Sequence, residues 1–277
     1  IPGRVSILKD ARIHDNLYRA VGFVQSGAQM IRLDIVERLT AMLRKAGKNG
    51  EFLLNSEMCS LVGLNYTDLA AAIQYLGYNM AFKDLGLNKT ILSTLDKLGY
   101  TEPTPIQAQA IPYLLEKEGD LIGLASTGTG KTASFGLPLI HQVDDQSKNT
   151  QGLIICPTRE LCIQISRDLD EYAKNIPKLK VVPVYGGTDI VKQIKQIERG
   201  AQIIVATPGR LLDLINRKKV KLWEVQTVIL DEADEMLNMG FKEDIDSILD
   251  QTPEFKSVWL FSATMPKEVA QLAKNYM

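Results

Sequence analysis

The sequence has few cysteines, almost no net charge and no long apolar run. Its three cysteines, Cys59, Cys156 and Cys162, lack both metal-ligand spacing and the even number of a disulfide framework, so we expect reduced thiols in a cytoplasmic protein. No stretch approaches the length of a membrane-spanning helix, and no signal-peptide pattern begins the chain. We therefore expect no membrane partner.

The charge balance limits the possible functions further. The 277 residues carry a formal net charge of −1, which argues against a histone-like or architectural nucleic-acid binder. Any nucleic acid must then be held by a local basic surface. Hydrophobic residues make up 45% and charged residues 23% of the chain, as in an ordinary globular protein. The length suits one large or two modest domains, and we expect a monomer.

From about Met80 onward, short apolar runs alternate with helical patterns. Such runs are typical of parallel strands buried on both faces, so the predicted fold class is α/β with a doubly wound parallel sheet. The predicted strands are Leu121 to Leu124, Gly152 to Cys156, Val181 to Val184, Ile203 to Ala206, Val228 to Leu230 and Val258 to Phe261. The predicted helices are Ile106 to Leu115, Lys131 to Val143, Glu160 to Ala173, Asp189 to Glu198, Arg210 to Asn216 and Lys267 to Tyr276.

Residues 1–79 do not share this alternation. Apolar residues from Ile31 to Leu43 have helical spacing, and Ser56 and Thr67 could cap two further helices. The pattern predicts a small, mostly helical module similar to a winged-helix fragment. The last helical segment, residues 68–78, contains no Lys or Arg, so a packing module is favoured over one that reads DNA.

A glycine-rich loop stands between a predicted strand and a predicted helix. Gly128 and Gly130 allow backbone N–H groups to face phosphates, Lys131 can reach the β and γ phosphates, and the Thr132 hydroxyl can bind Mg²⁺. The generic pattern begins with glycine, whereas this loop begins with Ala125. A glycine turn with an incidental lysine is the alternative. The predicted nucleotide-binding residues are Ala125, Ser126, Thr127, Gly128, Thr129, Gly130, Lys131 and Thr132.

Three carboxylates follow the predicted strand Val228 to Leu230. Asp231, Glu232 and Asp234 lie where a buried parallel strand ends, which is the edge at which open α/β sheets bind ligands. A carboxylate there suits Mg²⁺, and the glycine loop requires such a partner to complete a magnesium site. A solvated acidic turn is the alternative interpretation.

Six motifs occur in the order found in DEAD-box RNA helicases, and Met80 to Met277 resembles the first core domain of that family. They are Ala125 to Thr132, Pro157-Thr-Arg-Glu-Leu161, Gly186-Gly187, Thr207-Pro-Gly-Arg210, Asp231-Glu-Ala-Asp234 and Ser262-Ala-Thr264. The resemblance implies a RecA-like ATP-binding domain in residues 109–277 and an adenine-reading Q motif in residues 80–108. It also implies ATP and Mg²⁺ as cofactors and RNA as partner. Val24 to Tyr78 faintly resembles an accessory segment of mitochondrial-degradosome-type helicases.

The resemblance implies roles for individual residues around the nucleotide. Gln107, whose amide offers both a donor and an acceptor, would pair with the adenine edge, and Phe82 would stack on the base. A surface amide and a core aromatic are the alternatives. Lys131 would neutralise phosphate oxygens, Asp231 would hold Mg²⁺ and Glu232 would orient the attacking water.

The resemblance also implies an RNA site and its coupling to the nucleotide. Asp234 would couple to the Ser262 and Thr264 hydroxyls. Backbone contacts to RNA are expected from the glycines, hydroxyls and arginines that follow three strands. The alternatives are ordinary strand-to-helix turns and, for the arginines, internal salt bridges. The predicted RNA-binding residues are Pro157, Thr158, Arg159, Gly186, Gly187, Thr207, Pro208, Gly209 and Arg210.

The function expected from these motifs is that of the N-terminal core domain of an ATP-dependent RNA helicase. Family members have a second RecA-like domain that supplies arginine fingers, and no such sequence is present in the 277 residues. The chain alone is therefore expected to be nearly inactive, since arginine fingers contribute roughly 10³ to 10⁵ in rate in related systems. A non-catalytic RNA-binding or scaffold module and a small-molecule kinase remain the alternatives.

Overall fold

A computed structural model of the chain describes residues 6–8, 23–26, 29–32, 34–39, 42, 56–75, 81–116, 119–126 and 128–277. It divides into two compact units. The first comprises Ile1–Leu87 and Gly99–Glu116, and the second comprises Asn88–Leu98 and Lys117–Met277. Within the described ranges, no helix is long and apolar enough to span a membrane.

The first unit combines a small antiparallel sheet with helices. Its strands are β1 (Ser6–Leu8), β2 (Phe23–Ser26) and β3 (Gln29–Arg32), in the order β1-β3-β2. Its helices are residues 34–39, α1 (Ser56–Val62), α2 (Tyr66–Tyr75), a 3₁₀ helix (Phe82–Leu85) and α4 (Pro105–Glu116). The predicted helical character is present, but the sheet was not predicted.

Two helix starts predicted in this unit were wrong. Thr67 lies inside α2, where the Asn65 side-chain oxygen accepts from the Asp68 amide at 2.9 Å. Ile31 is paired in β3 rather than helical, because it lies opposite Ser6 on one side and Val24 on the other. Its side chain is fully buried, in the same apolar core as Leu39 and Leu69. A buried position in a strand and a buried position in a helix look alike over so few residues.

The second unit is built on a six-stranded parallel sheet, as predicted. Its strands have the spatial order β4-β9-β8-β5-β7-β6, and every neighbouring pair is parallel. They are β4 (Leu121–Leu124), β5 (Gly152–Ile155), β6 (Val181–Val184), β7 (Ile203–Ala206), β8 (Thr227–Leu230) and β9 (Ser257–Ser262). β5, β7 and β8 are buried along their whole length, which explains why their sequences are continuously apolar.

Eight helices are described in the second unit. Six match the predictions closely: α4 of the first unit and, here, α5 (Lys131–Gln142), α6 (Arg159–Tyr172), α7 (Ile190–Glu198), α8 (Pro208–Asn216) and α11 (Lys267–Tyr276). Three were not predicted: α3 (Lys89–Leu98), α9 (Ala233–Asn238) and α10 (Lys242–Leu249). Asn88 starts α3, since its side-chain oxygen accepts a hydrogen bond from the Ile91 amide at 3.0 Å.

Candidate active site

All six motifs of the second unit lie where its strands end. Because the six strands are parallel, the segments that follow them share one edge of the sheet, which we call the carboxyl edge. The glycine loop follows β4, Asp231 follows β8 and Ser262 ends β9. Pro157, Gly186 and Thr207 follow β5, β6 and β7, respectively. The fold thus brings together the motifs that the sequence separates.

The glycine loop has a backbone that requires glycine. Gly128 and Gly130 have φ values of 82° and 86°, a region in which side chains are strained, and Gly130 precedes the first residue of α5. The Thr129 hydroxyl donates to the Ser126 carbonyl at 2.8 Å, and the Ala125 amide donates to the Ser262 carbonyl at 3.0 Å. These bonds support the loop internally and anchor it to β9. Thr127, also predicted here, lies outside the described residues.

A buried ion pair joins the glycine loop to the end of β8. The Lys131 ammonium lies 2.9 Å from an Asp231 carboxylate oxygen, and their side chains are only 6% and 2% exposed. The Asp231 amide donates to the Ile155 carbonyl, which fixes this carboxylate at the end of the ladder. Burial raises the pKa of Asp231 above its ordinary value, while the neighbouring ammonium opposes that shift.

Glu232 has an unusual backbone for a residue with a side chain. Its φ and ψ are 53° and 50°, in the left-handed region, and its amide donates to the Asp231 carboxylate at 2.9 Å. The same turn starts α9 at the next residue. Burial, followed by the charge of Asp231, raises the pKa of Glu232. A carboxylate with a raised pKa is better suited to accept a proton.

Asp234 is bonded to the loop that ends β9. One carboxylate oxygen accepts from both the amide and the hydroxyl of Thr264, at 2.9 and 2.7 Å. The Asp234 amide faces the Ser262 hydroxyl at 3.3 Å. Partial burial acts to raise the pKa of Asp234, but the hydrogen bonds from Thr264 and Ser262 outweigh it, so the pKa is lowered. These hydrogen bonds join the two motifs, and the coupling role of Asp234 stays a prediction.

The arginine after β5 lies beside the loop after β6. The Arg159 guanidinium carbon lies 5.2 Å from the centre of the Tyr185 ring, and a Cβ on Gly187 would lie 3.5 Å from an Arg159 nitrogen. Thr158 caps α6 by accepting from the Leu161 amide at 3.2 Å. Pro157 is buried, whereas Arg159 and the glycine pair Gly186 and Gly187 are exposed.

The arginine after β7 is held by a glutamine that sequence reasoning missed. Arg210 donates to the Gln193 side-chain oxygen at 3.0 Å and to the Thr188 carbonyl at 3.3 Å. Gln193 is 4% exposed and also donates to the Tyr185 carbonyl at 3.1 Å. Gln193 is the fourth residue of α7, and its sequence context indicated only a polar residue on the surface of a helix. Thr207, Pro208 and Gly209 form the start of α8 beside this group.

The alternative of internal salt bridges for the two arginines is not supported. Neither Arg159 nor Arg210 forms an ion pair within 4.0 Å of any described carboxylate. Their contacts are to a ring, to carbonyls and to an amide, all neutral groups. No described carboxylate therefore neutralises their positive charges, which leaves them suited to an anionic ligand.

The two residues predicted to read adenine lie in the first unit. Gln107 is 3% exposed on α4, and its side-chain oxygen accepts from the Thr104 amide at 2.9 Å. Phe82, in the 3₁₀ helix, is also 3% exposed and meets Tyr100 edge to face with ring centres 5.7 Å apart. Both side chains are fixed by their surroundings, and their adenine-reading role stays a prediction.

The donors predicted for Mg²⁺ are one carboxylate and one hydroxyl. Asp231 already pairs with the Lys131 ammonium, and Thr132 is the second residue of α5, directly after that lysine. Among the described residues, no group of three or more His, Cys, Asp or Glu could enclose a metal ion. Mg²⁺ commonly binds through one or two protein oxygens, with waters and phosphates as the remaining ligands. The two donors fit that mode.

Comparisons with known proteins agree with the order of the motifs. A family model described as DEAD/DEAH box helicase matches residues 104–272, which is more than half of the chain. The DEAD-box ATP-dependent RNA helicase CshA of Bacillus cereus is 50% identical over 196 residues, and that of Bacillus subtilis is 48% identical over 198 residues. These matches cover 71% and 72% of this chain but only 37% and 40% of the two relatives.

A solved structure also matches this chain. The crystal structure of a DEAD box protein from the hyperthermophile Methanococcus jannaschii aligns with a TM-score of 0.67 and 44% sequence identity. The alignment covers 72% of this chain and 54% of that one. The match supports the predicted RecA-like α/β architecture of the six-stranded sheet.

Proposed function

The chain belongs to the DEAD/DEAH box helicase family, and from that premise we propose that it binds ATP with Mg²⁺ and the RNA backbone, and serves ATP-dependent unwinding of RNA duplexes. The relatives that it matches are named ATP-dependent RNA helicases. The observation that carries the proposal is the Lys131–Asp231 pair, which joins the glycine loop to the DEAD motif in a buried position. A cytoplasmic location is proposed with it, since the three cysteines form no disulfide.

Phosphate binding is assigned to the glycine loop. Lys131 would contact the β and γ phosphate oxygens of ATP, and Asp231 and Thr132 would hold Mg²⁺. The bound ion supplies positive charge that neutralises the phosphates. The open space around Gly128 supports this assignment, because no atom lies within 4 Å of the position its Cβ would take. The buried Asp231 carboxylate would then exchange one cation for another.

The proton of the attacking water is assigned to Glu232. Its left-handed backbone starts α9, and its amide donates to the Asp231 carboxylate, so it lies directly beside the residue proposed to hold Mg²⁺. Its raised pKa favours acceptance of the proton that water loses on attack. Glu232 is therefore proposed as the residue that orients the water, and Asp231 as a metal-holding residue that takes no part in proton transfer.

Adenine selection and RNA binding are assigned to separate elements. Gln107 and Phe82 are proposed to read the base, on the strength of the Q-motif resemblance. Arg159 and Arg210 are proposed to contact phosphates of RNA, supported by their un-neutralised charges. The hydrogen bonds between Asp234 and Thr264 are proposed to transmit the state of the nucleotide to the RNA side. Such backbone contacts bind RNA of any sequence and weaken with salt.

Full activity is proposed to need more protein than these 277 residues. Each matched relative is more than twice as long as the region that it shares with this chain. The polypeptide by itself is expected to hydrolyse ATP slowly and to gain turnover when a second RecA-like domain from a relative is supplied. The gain would reflect arginine fingers, which contribute roughly 10³ to 10⁵ in other systems.

The test compares Glu232→Gln with a control variant, Glu235→Gln, which changes an exposed carboxylate in the first turn of α9. With the second domain and RNA supplied, we expect the first variant to bind ATP normally but to lose turnover, and the second to behave as wild type. Unchanged phosphate release by Glu232→Gln would overturn the assignment of this residue. Turnover without any response to RNA would favour a small-molecule kinase, and no turnover in any protein would favour a scaffold.

A further inference from the structure

Positive charge is concentrated at the edge where the strands begin, opposite the carboxyl edge that carries the motifs. Residues 173–180, before β6, and residues 217–223, before β8, contain seven Lys or Arg residues and no Asp or Glu, although the whole chain has a net charge of −1. Because the strands are parallel, these segments share the edge at which the strands begin. We call the following exposed residues the amino-edge surface: Lys148, Lys178, Lys180, Lys219, Lys221 and Trp223.

The loops that carry the amino-edge surface are connected to one another. Side-chain contacts join the segments before β5, β6, β7 and β8 into one continuous region. They are Lys178 Nζ to Gln146 Oε1 at 2.5 Å, Lys180 Nζ to the Arg199 carbonyl at 3.0 Å, Lys219 Nζ to Glu198 Oε1 at 3.3 Å and Asn149 Nδ2 to Glu224 Oε1 at 2.6 Å. The lysines therefore form one surface rather than isolated charges on separate loops.

The ends of the helices do not account for these lysines. The negative end of a helix favours cations, but the effect is confined to about the last turn. α6 ends at Tyr172 and α8 at Asn216, so Lys178, Lys180 and Lys221 lie five or more residues beyond those ends. Lys178 and Lys180 contact only neutral oxygens, so no described carboxylate within 4.0 Å neutralises them. Their charges are therefore available to an external anion.

An exposed indole lies among these charges. Trp223 is 61% exposed, the Lys221 ammonium lies 4.9 Å from its ring centre, and its Nε1 donates to Glu224 at 3.3 Å. These two contacts hold the ring in place while leaving much of it in solvent. A fixed aromatic face beside cations matches single-stranded nucleic acid, whose bases stack on rings while lysines contact phosphates. An acidic protein segment would use the lysines but not the ring.

We propose that the amino-edge surface is a second RNA-binding surface, in which the lysines contact phosphates and Trp223 stacks on a base. It goes beyond the proposed function, because it requires neither ATP nor the loops of the carboxyl edge. An RNA that is bound at the carboxyl edge would use this surface through a separate stretch of its chain. Binding here is independent of nucleotide and carries no sequence preference.

The experiment measures binding of a fluorescein-labelled uridine oligonucleotide by anisotropy at several KCl concentrations, without nucleotide. The full chain is compared with Lys219→Ala/Lys221→Ala, and the control is Lys89→Ala/Lys274→Ala, which removes two exposed lysines outside the surface. We expect the first variant to lower the slope of log affinity against log salt by about 1.4, the value for two phosphate contacts in single strands. The control should keep the slope of wild type.

Two further variants are measured. One distinguishes base stacking on Trp223 from the contribution of the lysine charges, and the other distinguishes RNA binding at the amino-edge surface from RNA binding at the carboxyl edge. Trp223→Ala should weaken binding about fivefold or more with little change in slope, because stacking is not ionic. Arg159→Ala/Arg210→Ala should reduce binding further when it is combined with the lysine variant. If only the arginine variant weakens binding, the amino-edge surface does not bind RNA and the proposed function stands. If only the lysine variant weakens binding, the amino-edge surface binds RNA and the proposed RNA contacts of Arg159 and Arg210 fail.

An acidic partner gives a different result in the same assay. A poly-glutamate peptide of equal charge is used as a competitor against the labelled RNA. If it displaces RNA as well as unlabelled RNA does, and Trp223→Ala has no effect, the surface binds acidic protein segments and the RNA assignment is overturned. Weak competition together with a loss for Trp223→Ala supports RNA.

Discussion

The Lys131–Asp231 pair allows the sharpest test of the site, because each partner is almost completely buried. In Lys131→Met the alkyl volume is kept and the ammonium is lost, which leaves the Asp231 carboxylate without its cation. Breaking a buried pair in this way generally costs 3–5 kcal/mol. We expect about 3 kcal/mol, at the lower end of that range, because the carboxyl can take up a proton.

The loss of stability in Lys131→Met should depend on pH, and the pKa of Asp231 determines whether the loss is larger at neutral or at acidic pH. Burial already raises that pKa, and removal of Lys131 removes the influence that lowers it, so the folded-state pKa rises further. A group whose folded-state pKa is raised contributes stability at low pH, and this contribution is lost as pH rises through that pKa. The variant should therefore be most destabilised at neutral pH and should recover relative to wild type in acid.

Tryptophan fluorescence confines the measurement to the unit that contains the pair. The chain has two tryptophans, and both Trp223 and Trp259 belong to the second unit, with Trp259 fully buried in β9. Urea unfolding followed by this signal at about pH 7.5 and about pH 5.5 gives the two costs. For a unit of this size, 3 kcal/mol corresponds to a fall in Tm of roughly 6–12 °C.

The double variant Lys131→Met/Asp231→Asn is the control. It removes both charges while the side-chain oxygen can still accept from the Glu232 amide, so it should recover most of the lost stability. A cost below about 1 kcal/mol for Lys131→Met, or a double variant as unstable as the single one, would refute the view that an uncompensated buried carboxylate causes the loss.

Three further outcomes are expected. Gln193→Ala should weaken RNA binding about fivefold, because Arg210 loses a neutral acceptor; Gln193→Glu, which would neutralise Arg210 with a carboxylate, should weaken it further, and unchanged binding by both variants would argue against a positioning role. Thr264→Val should raise the pKa of Asp234 in an NMR titration, whereas Thr264→Ser should restore it; an unchanged pKa would contradict the role of this hydroxyl. A thiol reagent should modify the half-buried Cys59 quickly and the two fully buried thiols only on unfolding.

The parallel sheet could be predicted because its strands are buried on both faces. β5, β7 and β8 are uninterrupted apolar runs, and their carboxyl ends carry the motifs, so the edge on which the site lies followed from topology. The small antiparallel sheet could not be predicted in this way. β1, β2 and β3 have three or four residues each, too few to show alternation, and the pairing of β1 with β3 joins segments distant in sequence.

The missed helices carried signals that could support more than one interpretation. α9 begins directly after Glu232, and acidic residues occupy its first turn, as they do in α10. Acidic residues suit helix starts, but beside a strand end they also suit a metal site, and only the latter was inferred. Gln193 was missed for a different reason. Its contacts to Arg210 and Tyr185 reach residues 17 and 8 positions away on other elements, and the periodicity of its own helix does not contain that information.

The left-handed backbone of Glu232 implies a trade-off between stability and activity. For a residue with a side chain, this conformation costs roughly 1–2 kcal/mol relative to glycine, which adopts it freely. Glu232→Gly should therefore relieve strain while removing the proposed water-orienting carboxylate. Selection for stability alone would replace this residue, so its presence indicates that the fold tolerates a weak point in order to hold a carboxylate there.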